Sequence, residues 1–177
     1  MELGTFGAIM KFTLEIENEV SRFYESANQN VEDQNLIVLF SELLSRGQKR
    51  ITTLERVRRE NITEMILEPI TGLDSEIYKP DTKIPEGSND DTIRKMSVDI
   101  EKRLKEFYNQ AAIKIDFLSE VAYTFELLAE ANEKAVPPVD PELLKKFRKQ
   151  LRNQVIKDLK KSGILELKAG RLTFGMD

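Results

Sequence analysis

Apolar residues recur along the first part of the chain at Ile9, Phe12, Ile16, Val20, Phe23 and Ala27. Steps of three and four mark one face of an α-helix, about six turns long. Asn28-Gln29-Asn30 interrupts the pattern, and Leu36, Phe40, Leu43, Ile51 and Leu54 trace a second helical face. Further on, Ile93, Met96, Ile100, Leu104, Phe107 and Ala111 repeat the first pattern, and Val121, Phe125, Leu128 and Ala135 give a fourth helix. Four long amphipathic helices predict a bundle.

Prolines punctuate this pattern. Pro69, Pro80 and Pro85 form one group, and Pro137, Pro138 and Pro141 another. Because proline breaks helix interiors, the first group marks a linker over 69–89. A connection of that length between compact halves suggests a crossover spanning a helix length, ending in a helix cap near Asp90. The second group separates a bundle over 1–136 from a segment over 139–177.

The two halves of the bundle are copies. A shift of 84 residues aligns Ile9 with Ile93, Lys11 with Lys95, Ile16 with Ile100 and Glu17 with Glu101. Phe23, Tyr24 and Ala27 match Phe107, Tyr108 and Ala111, making seven identities over positions 9–27. Unrelated sequence gives roughly one, so a helical hairpin has been duplicated.

Each copy places one glutamate, Glu17 or Glu101, beside its apolar stripe. Each stands seven residues before a tyrosine, Tyr24 or Tyr108. The segments running from Glu17 to Tyr24 and from Glu101 to Tyr108 resemble those of the ferritin-like superfamily, its rubrerythrin-like branch in particular. Leu39-Phe40-Ser41-Glu42-Leu43-Leu44 and Phe125-Glu126-Leu127-Leu128-Ala129-Glu130 resemble the matching starts of that family's Glu-x-x-His helices. The resemblance covers roughly 5–136. It implies an all-α, ferritin-like four-helix bundle, with a carboxylate di-iron site supplied by one Glu from each of two helices and a Glu-x-x-His pair from each of the others.

Composition then removes most of that site. The 177 residues include no histidine, no cysteine and no tryptophan. That excludes thiol nucleophiles, zinc ribbons, iron–sulfur clusters and Ser-His-Asp catalysis. With the apolar faces in phase, the family's Glu-x-x-His positions fall on Gly47 with Arg50, and on Asn132 with Ala135. Matching the Glu-Leu-Leu triplets instead gives Ala131 with Lys134. Only Glu17 and Glu101 remain of six ligands, and two carboxylates do not hold a di-iron centre of the usual kind.

Two ionised carboxylates in a bundle core are costly without a compensating charge. Arg50, at a ligand-histidine position, carries a guanidinium able to bridge carboxylates. The expectation is a buried charge cluster of Glu17, Glu101 and Arg50, with Asn132 alongside, in place of a metal, and no cofactor. Two other readings stay open. Glu17 and Glu101 are then exposed relics, or a residual oxygen-ligand site for iron, manganese or another hard cation, extended by Glu42, Glu126 or Asp116. Tyr24 and Tyr108 read as core aromatics, and Gly47 as a point of close helix approach or a kink.

Formal charge is −4 overall, divided as −9 before residue 139 and +5 from there on. Over 143–159, Leu144, Phe147, Leu151, Val155 and Leu159 face one way and Lys145, Lys146, Arg148, Lys149, Arg152 and Lys157 the other. Ile164–Leu167 and Arg171–Phe174 flank Lys168-Ala169-Gly170, a β-hairpin signal. Basic helix and hairpin together resemble the last helix and wing of a winged-helix domain, though too short for the whole unit. The alternatives are nucleic-acid contact through 139–177, or a basic appendage docked on the acidic bundle or exchanged with a neighbouring subunit.

The longest aliphatic or aromatic run, Leu36 to Phe40, is far short of the ~20 residues that span a bilayer. Met-Glu-Leu-Gly at the start carries no secretory pattern, so the expected location is cytoplasmic. The function expected from these features is a non-enzymatic structural or partner-binding role, as a homo-oligomer or with a protein partner. A residual metal or redox role of Glu17 and Glu101, or nucleic-acid regulation through 139–177, is the alternative.

Overall fold

The computed structural model describes residues 1–64, 69–133, 165–168 and 171–174, the last two segments by their backbone. The chain divides into two compact units, Met1–Pro137 and Pro138–Asp177.

The first unit is built on two helical hairpins. Helix α1 runs Phe6–Asn30 and packs along α2, Gln34–Glu60. After a 3-10 turn at Ile62–Glu64 comes α3, Ser75–Tyr78, and then α4, Asp90–Lys114, packs along α5, Ser119–Glu133. The starts of α1, α2 and α4 are capped by the residues the sequence supplies. Thr5 Oγ1 accepts from Ala8 N at 3.1 Å, Asp33 Oδ1 from Asn35 N at 2.8 Å, and Asn89 Oδ1 from Thr92 N at 2.9 Å. These side chains satisfy N–H groups that have no partner within the helix.

The apolar stripe of α1 is buried from Ile9 to Ala27 without a break, and α4 buries Ile93, Ile100, Leu104, Phe107 and Ala111. Thr13 and its counterpart Ser97 are buried too, and both hydroxyls bond within their own helix, to Ile9 O at 2.6 Å and Arg94 O at 2.7 Å. Where the copies meet, the Phe12 and Phe107 rings stand edge to face with centroids 5.1 Å apart, an arrangement aromatic pairs favour.

The expected inward face of α2 needs one adjustment. Leu43, Gly47, Arg50, Leu54 and Val57 are buried, at steps of four, three, four and three, while Ile51 is only half-buried. The helical period carries Arg50, and not its apolar neighbour, into the core. Met96 in α4 is likewise half-buried, with Ser97 inside.

The crossover is structured. Leu3 N donates to Leu73 O at 2.8 Å, and Ile70 N to Gly4 O at 3.0 Å, tying the linker to the chain ahead of α1. Gly72 takes φ +74°, and a Cβ there would stand 3.2 Å from Lys114 Nζ, so both backbone and space favour glycine. Tyr78 at the end of α3 brings its ring to 5.7 Å from that of Phe107 on α4. At the other end of the bundle, the Asp90 carboxylate accepts from Asp33 N at 2.8 Å and Glu32 N at 3.2 Å. The first turn of α4 thereby holds the turn between α1 and α2.

These findings correct the expected fold class. The helical unit has five helices among its described residues, because the crossover contributes α3 to the four long ones. It carries no β-strand among those residues, only the isolated bridge between Glu2 and Asp74, so a hairpin is no part of the bundle's fold. In the second unit, backbone segments β1, Leu165–Lys168, and β2, Arg171–Phe174, pair antiparallel, Leu165 opposite Phe174 and Lys168 opposite Arg171. The basic helix expected over 143–159 lies outside the described residues, as does Ala135. No helix among the described residues is long and apolar enough to cross a membrane.

Candidate functional site

In the largely apolar core of the first unit, Glu17, Arg50 and Glu101 come together. Their side chains are 0%, 5% and 2% exposed. Glu17 lies on the inward face of α1, Glu101 at the equivalent point of α4, and Arg50 reaches in from α2. Arg50 Nε donates to Glu17 Oε1 at 2.7 Å, and its Nη2 lies 3.8 Å from Glu101 Oε1. One guanidinium thus stands between the carboxylates of the two copies.

The tyrosines complete the arrangement by crossing between copies. Tyr24 O–H, from α1, donates to Glu101 Oε1 at 2.7 Å, and Tyr108 O–H, from α4, donates to Glu17 Oε1 at 2.6 Å. Each ring packs within its own hairpin, Tyr24 at 5.9 Å from Phe40 and Tyr108 at 5.5 Å from Phe125. These bonds satisfy the hydroxyls, which would otherwise be buried without partners. They also give each carboxylate a neutral donor besides the shared cation.

The electrostatics follow from burial and charge. Burial pushes the Glu101 carboxyl above its ordinary value of 4.5, against the pull of Arg50 and the Tyr24 hydroxyl. For Arg50, burial favours the neutral form, but the Glu17 and Glu101 charges outweigh it and hold the guanidinium protonated beyond its usual range. Burial and then the Glu101 charge raise Tyr24 well above 10.0; burial and then the Glu17 charge do the same for Tyr108. Both phenols stay protonated and serve as donors at neutral pH.

Of the residues the sequence singled out, Glu17, Arg50 and Glu101 are in contact. Asn132 is buried on α5, 2% exposed, but neither its Oδ1 nor its Nδ2 has a hydrogen-bond partner, so it does not join the cluster by any bond. Glu42, Asp116 and Glu126 are exposed, and Glu42 lies 3.7 Å from Arg46 in an i,i+4 pair. The reading that Glu17 and Glu101 are exposed does not fit their burial. Tyr24 and Tyr108 are core aromatics that also hydrogen-bond the carboxylates, a role the sequence reading did not assign. The available signal was the seven-residue Glu-to-Tyr spacing kept in both copies. Ser21, one turn after Glu17, also went unnoticed; its Oγ lies against Gly47.

As a metal site the donor set is poor. Among the described residues no group of three or more metal-ligating side chains comes together. Glu17 and Glu101 supply carboxylate oxygens only, and a guanidinium stands where a cation would be held. A di-iron centre does not fit these residues. A surface cleft of about 520 Å³, lined by Lys11, Glu15, Asn18, Arg22 and Arg58, contains no member of the cluster.

Fold and site together define a duplicated helical bundle with an ionic cluster at its centre. No family model matches the chain, and no curated protein matches it.

Proposed function

We propose that this chain is a ferritin-like bundle of rubrerythrin type in which an arginine has taken the place of the di-iron centre, and that it acts as a non-enzymatic structural or partner-binding protein. The observation carrying this reading is the 2.7 Å contact of Arg50 Nε with Glu17 Oε1, with Glu101 on the far side of the same guanidinium. Arg50 stands at the position where the family resemblance implies a ligand histidine. A fixed positive charge there supplies what a cation would supply to facing carboxylates, and needs no loading. The fivefold donor fork of arginine suits this task, whereas it offers no lone pair to a metal. The duplicated Glu and Tyr positions support descent from a two-fold site.

Elemental analysis of protein purified without chelator tests this reading, together with calorimetric titration by Fe²⁺ and Mn²⁺. Less than one tenth of an equivalent of metal and no saturable heat are expected. Stoichiometric iron or manganese, abolished by Glu17→Ala, contradicts it and restores the residual metal site.

A further inference from the structure

Four buried atoms at the ionic cluster have no hydrogen-bond partner within the protein: Glu17 Oε2, Glu101 Oε2, Arg50 Nη2 and Ser21 Oγ. Three of them border one spot. A Cβ built on Gly47 would stand 3.3 Å from Ser21 Oγ, 3.7 Å from Arg50 Nη2 and 3.8 Å from Glu17 Oε2. The fourth belongs to the carboxylate that already lies 3.8 Å from Arg50 Nη2. Glycine inside α2 therefore lets these three polar atoms lie close to the helix where a side chain would otherwise stand, at a position where glycine is otherwise unfavourable.

The chemistry of these atoms selects the occupant. The two carboxylate oxygens only accept, the guanidinium nitrogen only donates, and the hydroxyl does either. A cation placed there meets the guanidinium, and an anion meets two carboxylates. A neutral molecule that donates twice and accepts twice satisfies the set, and buried water usually makes about three such bonds. We infer that the niche beside Gly47 is a built site for an internal water molecule, which donates to the Glu17 and Glu101 carboxylates and accepts from Arg50. Water then completes the hydrogen bonding of the cluster, and Gly47 is the residue that makes room for it.

This inference rests on the cluster's geometry, and its failure is distinguishable from that of the metal-free reading. A high-resolution crystal structure of the full chain, collected with anomalous data, reads both. The expected result is a water-sized peak within hydrogen-bond distance of Arg50 Nη2 and of Glu17 Oε2 or Glu101 Oε2, without anomalous signal. Melting temperatures of Gly47→Ala and Gly47→Ser provide the second arm. Helix propensity alone places alanine above serine and both above glycine. With water in the niche the order reverses to wild type, then serine, whose hydroxyl replaces part of the water's bonding, then alanine. A dry niche, or an alanine variant as stable as wild type, overturns the inference and leaves the metal-free reading standing. An anomalous metal peak overturns both.

Discussion

The hydroxyl of Tyr108 donates to Glu17 Oε1 at 2.6 Å across 91 positions of sequence, from the second helical hairpin into the first. Tyr24 returns the same bond to Glu101 at 2.7 Å. Each copy therefore supplies a hydrogen-bond donor to the other's buried carboxylate, and neither hairpin pairs its own tyrosine with its own glutamate. Bonds to charged groups in a core contribute more than ordinary ones, about 1.5–3 kcal/mol each.

Tyr24→Phe and Tyr108→Phe are each expected to cost stability on that order, about 2 kcal/mol, read by urea unfolding at pH 7. The pairing is the sharper test. In double-mutant cycles, Tyr108→Phe is expected to couple with Glu17→Gln, and Tyr24→Phe with Glu101→Gln, by about 0.5–3 kcal/mol. Stronger coupling of each tyrosine to the glutamate of its own helix would contradict the crossed arrangement.

Burial raises the Glu101 carboxyl above its unfolded value near 4.5. A carboxyl raised on folding binds more protons folded than unfolded, so its contribution to stability is present below 4.5 and lost as pH rises through the folded value. Glu101→Gln removes this dependence while keeping an oxygen for the Tyr24 hydroxyl. The stability of the glutamine variant minus that of wild type is therefore expected to increase from pH 4 toward neutrality. Unfolding curves at a series of pH values check the slope; a difference that shrinks with rising pH has the wrong sign.

The Asp90 carboxylate holds the backbone N–H groups of Glu32 and Asp33. Asp90→Ala is expected to lower stability by about 1–2 kcal/mol, through two lost acceptor contacts and a weakened helix start. Hydrogen exchange of those amides gives the local readout, with protection falling at Glu32 and Asp33 before the bundle core. Unchanged protection there would mean that the turn is held by other contacts.

The duplication was the most legible feature of the chain, because identical residues at an 84-residue shift are visible without coordinates. The central cluster followed from the family resemblance and one register: with the apolar faces in phase, the ligand-histidine position that the resemblance implies falls on Arg50, and its single glutamates on Glu17 and Glu101. Asn132 was placed by the same register, and it is buried, yet the sequence carries no information on whether its amide reaches a partner. Ile51 is only half-buried despite its hydrophobicity, because the helical period gives the inward place to Arg50. The crossed tyrosine bonds were not legible, since spacing within a helix does not say which neighbouring helix a hydroxyl will meet. Nor did the linker's prolines foretell α3, a single turn started by Asp74 and held against α4 through tertiary packing.

The central claim is that Arg50 supplies the charge that two buried glutamates require, and equilibrium unfolding of Arg50→Leu at pH 7 tests it most directly. Removing one partner of a buried ionic cluster typically costs about 3–5 kcal/mol, because the remaining charges are left uncompensated. The account predicts a loss of that order, partly recovered in the triple variant that adds Glu17→Gln and Glu101→Gln, which removes those charges. An Arg50→Leu protein as stable as wild type would contradict it.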